Sequence, residues 1–118
     1  MRNVFVKYSH LGIPTSVPQE GETYLERLDI FFTDHERNPF GIQWMRYGPR
    51  CPLPELVKTV PHIGFEVEDL EKALQGQEVI IAPNSPSPGV VVAFVVIDGA
   101  PVELLQYLCR PRRPPLSG

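Results

Sequence analysis

Along most of the chain, short apolar stretches rich in β-branched and aromatic residues alternate with polar connections rich in proline, serine and glycine. Stretches of this kind are typical of β-strands, because such side chains pack well on a pleated surface. The segment LDIFFTDHERNPFGIQWMRY predicts a hairpin with its turn at ERNPFG, since asparagine, proline and glycine favour turns. The pattern predicts further strands in five segments: VFVKYSHLGI, TVPHIGFEV, VIIA, VVVAFVVI and PVELLQYL.

Helical periodicity is clear in one segment, Glu68–Gly76. Acidic residues open it, Leu70, Ala73 and Leu74 share one face, and the terminal glycine can end the helix. A weaker pattern at Glu20–Leu28 predicts a second, short helix, although a glycine inside it disfavours helix formation.

The order of these elements repeats along the chain. Each half has a strand, a helix and then antiparallel strands, and the proline-rich segment YGPRCPLPELVK lies between the halves. Two similar phrases, SHLGI at Ser9–Ile13 and PHIGF at Pro61–Phe65, occupy the first strand of each half. The sequence therefore predicts one α+β domain of two paired βαβββ modules, at about 4–48 and about 57–108, followed by a tail at 109–118.

Composition narrows the class of protein. The 118 residues are 42% hydrophobic and 21% charged, which is typical of a globular domain. With a net charge of −3, and basic residues clustered only in the tail CRPRRPPLSG, we expect neither nucleic acid nor a membrane surface as a partner. The longest apolar stretch, GVVVAFVVI, is about half of what a membrane helix needs. Without a secretory signal, Cys51 and Cys109 are expected to be reduced and the protein cytoplasmic.

Four polar residues occupy matching places in the two halves. The repeated phrases carry His10 and His62, and the last strand of each half carries Gln43 or Glu103 among apolar neighbours. If the halves pair about a pseudo-twofold axis, these residues meet as a ligand set for a divalent metal. A cation would also offset the cost of burying the carboxylate. Two other interpretations stay open: each histidine could be a hydrogen-bonded core residue, and Glu103 could face water.

Neighbouring residues on the same strand faces are candidates for a substrate-binding wall. Alternate residues of a strand share a face. The residues that share a face with Gln43 or Glu103 are Met45, Tyr47, Leu105 and Tyr107. Trp44 is expected on the opposite face, packing against a helix, and His35 is expected to be a solvated residue beside the hairpin turn.

The segments HLGI, VPHIGFEVEDLEKA and GAPVELLQY resemble the glyoxalase/bleomycin-resistance/extradiol-dioxygenase group, the vicinal oxygen chelate superfamily. The resemblance extends from about Tyr8 to Tyr107 and implies paired modules that curl into a cup-shaped sheet. It implies a metal site formed by four residues: His10, Gln43, His62 and Glu103. The segment IQWM, leading into YGP, is similar to the glutamine-bearing strand of methylmalonyl-CoA epimerases. The segment PTSVPQEGETYLERL departs from the superfamily pattern, since it lacks the usual V-x-D-L-x-x-A helix start.

The resemblance implies a divalent-metal-dependent lyase or isomerase that acts on a small oxygenated substrate through an enolate-type intermediate. The metal would be Zn, Ni, Co, Mn or Fe, and Glu103 would be the catalytic base. An iron-dependent ring-cleaving dioxygenase using His10, His62 and Glu103 is one alternative, and a metal-free small-molecule binding or resistance protein is another. We expect a homodimer, because an open curved sheet leaves edge strands to cover.

Overall fold

The computed structural model of the protein describes residues 5–108, with side chains from residue 7 onwards. These residues form one curled, mixed β-sheet of eight strands with few helices. The strands are β1 Phe5–Pro14, β2 Thr23–Leu25, β3 Ile30–Phe32, β4 Ile42–Tyr47, β5 His62–Val67, β6 Glu78–Asn84, β7 Val90–Ile97 and β8 Ala100–Tyr107. Two short α-helices are α1 Glu55–Thr59 and α2 Leu70–Leu74, and single 3-10 turns cover Glu26–Leu28 and His35–Arg37. The predicted strand segments are confirmed. The tail at 109–118 and Cys109 lie outside the described residues.

The strand order across the sheet is β2-β3-β4-β1-β5-β8-β7-β6. At the centre, β1 and β5 pair antiparallel, and each pairs in parallel with the last strand of its own half, β4 or β8. The outer pairs are antiparallel. Counted outwards from the centre, the two halves therefore have the same strand order. A curled sheet of this kind is consistent with the predicted cup.

The helices differ between the halves. The predicted helix of the second half forms at Leu70–Leu74, where the Asp69 side chain accepts a hydrogen bond from the backbone N–H of Lys72 at 3.1 Å. The predicted helix at Glu20–Leu28 is wrong, because that segment forms β2 and a 3-10 turn instead. The βαβββ order is thus found in the second half, while the first half has no helix between β1 and β2.

The sequence analysis did not predict α1, which lies in the proline-rich connection between the halves. Pro54 caps its start, where a missing backbone N–H costs nothing, and Val57 on its inner face is almost fully buried. The free Cys51 is also buried in this connection.

The main apolar core lies between α2 and the convex face of the sheet. Leu104 of β8 is 1% exposed there, and strand alternation turns the adjacent Glu103 to the opposite, concave face. Each such buried aliphatic side chain stabilises the fold by roughly 1.5–3 kcal/mol. The other members of this cluster are Val67, Leu70, Ala73, Ala93 and Val95. Because the apolar core lies on the convex face, the concave face can form a cavity. None of the helices within residues 5–108 has the length and apolar character needed to cross a membrane.

Candidate metal centre

Strand register brings three of the predicted ligands together at the centre of the concave face. In the antiparallel pair β1–β5, His10 lies opposite Gly64 and Gly12 lies opposite His62. In the parallel pair β5–β8, Gly64 lies beside Glu103. Since residues two apart on a strand share a face, both histidines and the glutamate point into the same space.

The two imidazoles converge on one carboxylate oxygen. The distance from His10 Nε2 to Glu103 Oε1 is 2.8 Å, and the distance from His62 Nε2 to the same oxygen is 3.1 Å. The candidate ligand atoms all lie within 4.8 Å of one another. Tetrahedral zinc, with bonds near 2.0–2.1 Å, separates its ligand atoms by about 3.3 Å, so small side-chain adjustments would admit an ion. These three residues could therefore hold a divalent metal.

Burial and hydrogen bonding fix the charge of the carboxylate. Burial by itself raises the pKa of Glu103, but hydrogen bonds from His10 and His62 outweigh it and lower the pKa to about 2. Glu103 is therefore an anion at neutral pH, as a metal ligand must be. Because a carboxylate oxygen only accepts, each Nε2 atom donates its hydrogen to Glu103, and a metal would take the place of these two hydrogens.

The second nitrogens of the two imidazoles have different surroundings. The Nδ1 atom of His10 lies 2.9 Å from the hydroxyl of Ser9, which can donate to it. The Nδ1 atom of His62 is buried and has no hydrogen-bond partner among residues 5–108. Metal-binding histidines commonly use the second nitrogen to fix the ring, so hydrogen bonding supports His10 more fully than His62.

Gln43, the fourth predicted ligand, lines the same cavity. Its Nε2 atom donates to the backbone carbonyl of Thr33 at 3.0 Å. That carbonyl only accepts, so the amide oxygen is the atom of Gln43 that remains for a ligand. Gln43 lies beside Gly12 in the register of β4 with β1, and Gly12 in turn lies opposite His62. Gln43 is therefore on the strand just outside the central pair that carries His62.

A cavity of about 550 Å³ occupies the concave face around the three ligands. Its volume is in the range of small-molecule sites. All four residues predicted as a substrate-binding wall line it: Met45, Tyr47, Leu105 and Tyr107. The hydroxyl of Tyr47 is buried and finds no hydrogen-bond partner in the described part of the chain. Burial, followed by the Glu103 charge, raises the pKa of this phenol. A role of these residues in binding a substrate stays a prediction.

The prediction for His35 is wrong. Its ring is partly buried, lines the cavity and stacks on His10, with 4.9 Å between ring centroids and 25° between planes. Burial lowers the pKa of His35, and the nearby His10 acts in the same direction, so the neutral imidazole is favoured. No sequence motif around His35 indicates that it lines the cavity. The parallel pairing of β4 with β1 would have pointed to it, because the loop before β4 must then pass close to His10.

Fold and site together define a cup-shaped β-protein with a cluster of two buried histidines and one partly buried carboxylate. A scan against protein-family models finds no match for this chain, and a search of curated proteins finds none either. Membership of the vicinal oxygen chelate superfamily therefore stays a prediction that rests on the sequence segments quoted above.

Proposed function

We propose that the protein is a divalent-metal-dependent lyase or isomerase of the glyoxalase-like kind, acting on a small oxygenated molecule. The observation that carries this proposal is the convergence of His10, His62 and Glu103 inside a cavity of about 550 Å³. A largely buried anion held by two buried imidazoles and open to a ligand-sized space suits a metal better than it suits a purely structural core.

The residues around the cavity would have separate roles. His10, His62 and Glu103 would hold the metal, and the amide oxygen of Gln43 is available as a further ligand. When bound, the metal would supply Lewis-acid polarisation of a substrate oxygen. The largely apolar walls of the cavity would exclude water and orient the substrate.

Glu103 can act as the base only under a specific condition. While both imidazoles donate to it, its lowered pKa of about 2 makes it a weak proton acceptor. With a metal in place of the two imidazole hydrogens, Glu103 would have to leave the ion before it could take a proton from a carbon next to a carbonyl. The ligand role of Glu103 is therefore favoured in the resting site.

Elemental analysis of the purified protein, followed by titration with Zn, Ni, Co, Mn and Fe, tests the metal site. We expect one ion per chain, with His62→Ala and Glu103→Gln weakening affinity by about 100-fold or more. Glu71→Gln, an exposed change on α2, is the matched control and should bind as the parent does. A parent protein that takes up none of the five metals would overturn the proposal.

An iron-dependent ring-cleaving dioxygenase is a second candidate, favoured by the identity of the three converging residues. Two histidines and one carboxylate are the ligand set of many non-haem iron oxygenases. Oxygen consumption by the iron-loaded protein with catechol would favour this candidate over the lyase or isomerase.

A metal-free binding protein is the third candidate. The imidazoles and the carboxylate satisfy one another by hydrogen bonds without an ion. A protein that contains no metal but binds small oxygenated molecules in the cavity would support it.

Homodimerisation is proposed on the form of the sheet. Within residues 5–108, β2 and β6 are the edge strands, so each has one side that no other described strand covers. Sedimentation equilibrium should give twice the mass of the chain, and a monomer at micromolar concentration would contradict it.

A further inference from the structure

The two His-x-Gly phrases share a feature that the metal site alone does not explain: each carries a glycine two residues after its histidine. These residues, Gly12 and Gly64, lie inside strands β1 and β5. Neither has the positive φ that would require glycine, unlike Gly41 in the loop before β4. Glycine weakens a strand interior, since it adds backbone entropy to the unfolded chain and packs no side chain. A reason other than backbone conformation must therefore favour it here.

The space above each glycine is filled by the histidine of the other half. A Cβ atom on Gly64 would lie 2.5 Å from Cε1 of His10 and 2.8 Å from its two ring nitrogens. A Cβ atom on Gly12 would overlap the ring of His62. Real Cβ atoms do not approach other heavy atoms this closely, so any side chain at these positions would displace the imidazole.

A displaced ring could enter the cavity only by losing the contacts that now hold it. His10 is 3% exposed and His62 is 1% exposed. His10 is stacked on His35 on one side, and His62 packs edge-on against Phe94 with 4.9 Å between ring centroids. Both Nε2 atoms must also keep their distance to one oxygen of Glu103. A shift of about 1 Å would break that geometry.

We propose that the repeated phrase is a reciprocal positioning device, in which the glycine of each half makes room for the imidazole ligand of the other half. Antiparallel register makes the device possible, because it sets His10 against Gly64 and Gly12 against His62. Each phrase then needs the glycine of the other phrase to seat its own histidine. Gly12 and Gly64 are therefore positioning residues of the proposed metal centre. The inference deepens the proposed function, but its steric part holds whether or not a metal binds.

Double-mutant cycles on the metal-free protein test the steric part. We expect Gly12→Ala to lower the midpoint of thermal unfolding by roughly 5 °C or more in the parent. In the His62→Ala background the same change should have no effect or a slightly stabilising one, because the ring is gone and alanine suits a strand better than glycine. Gly64→Ala should behave in the same way with His10→Ala.

The control cycles use the same four substitutions in the other combination. Gly12→Ala with His10→Ala, and Gly64→Ala with His62→Ala, should show clearly weaker coupling, since each glycine meets the ring of the opposite phrase and the second histidine acts only through the shared Glu103. If Gly12→Ala fails to fold, recovery of folding by His62→Ala still supports the proposal. Equal coupling in both combinations, or glycine substitutions that stabilise the parent, would overturn it.

Metal binding provides a readout that a purely structural role would not move. With the folded Gly12→Ala and Gly64→Ala proteins, Co²⁺ affinity should fall about 100-fold or more, and the visible absorption of bound Co²⁺ should change. Unchanged Co²⁺ affinity and absorption in both folded variants would overturn the positioning role. If the parent takes up no metal, the proposed function fails, while the unfolding cycles still decide the reciprocal device.

Discussion

The two halves of the sheet share a strand order but are stabilised and charged differently. In the second half, α2 covers the convex face and buries Leu104 beneath it. In the first half, the corresponding surface carries a polar and aromatic layer: Arg46 pairs with Glu22 and lies 4.0 Å from the centroid of Phe31, which in turn packs on Tyr24. A repeated topology therefore does not require repeated packing.

The concave faces show the same contrast in chemistry. The last strand of the second half supplies the anion, Glu103, which two histidines contact directly. The last strand of the first half supplies a neutral amide, Gln43, which is engaged by the backbone of Thr33. Each half thus contributes one imidazole that contacts the carboxylate, but only the last strand of the second half contributes a charge. This difference suggests how each half should respond to substitution.

The largest difference is expected in stability. Leu104→Ala should lower the free energy of unfolding by about 2–5 kcal/mol, because it leaves a cavity under α2. Trp44 follows Gln43 as Leu104 follows Glu103, yet it is only partly buried. Trp44→Ala should therefore cost less, despite the larger side chain removed. Urea unfolding measures both, and an equal or larger loss for Trp44→Ala would contradict the asymmetry of the two convex faces.

The second difference concerns the metal ligands. Glu103→Gln should weaken zinc binding by about 100-fold or more, whereas Gln43→Ala should weaken it less than about 10-fold, since only Glu103 supplies charge. Calorimetric titration of both variants compares them directly. If Gln43→Ala is as damaging as Glu103→Gln, the amide is an essential ligand and the two halves are more equal than their contacts indicate.

The third prediction concerns pH in the metal-free protein. The folded-state pKa of Glu103 is lowered to about 2, so its contribution to stability is fully present above its ordinary pKa near 4.5 and is lost as pH falls towards 2. The difference in unfolding free energy between parent and Glu103→Gln, on the order of 1–3 kcal/mol at pH 6, should therefore shrink as pH falls below 4.5. A difference that stays constant down to pH 3 would be inconsistent with this shift.

The smallest expected effect on stability concerns two tyrosine hydroxyls, one on each face of the first half. Tyr24 donates its hydroxyl hydrogen to Asp29 at 2.8 Å, so Tyr24→Phe should destabilise the protein by about 1 kcal/mol. Tyr47 has a buried hydroxyl with no partner among the described residues, so Tyr47→Phe should leave stability unchanged or raise it slightly. Thermal unfolding of the two variants checks the signs, and a loss of stability in Tyr47→Phe would mean that its hydroxyl contributes to the fold.

The sequence alone identified every strand except β2, and three of the residues that meet at the site. Alternation and β-branched composition mark strands locally, so β1 and β3 to β8 were predictable without tertiary information. The matched positions of His10, His62 and Glu103 were visible because strand spacing assigns each residue to a face.

Tertiary structure decided the remaining features. The segment Glu20–Leu28 has weak helical character, but pairing with β3 and the contact of Glu22 with Arg46 draw it into the sheet. His35 reaches the cavity only because parallel pairing of β4 with β1 returns its loop to His10. The need for glycine at 12 and 64 likewise arises from antiparallel register, since the ring that fills each space lies 50 or 54 residues away along the chain, in the other repeated phrase. Local patterns determine which face a side chain takes, whereas long-range strand pairing determines which side chain it meets.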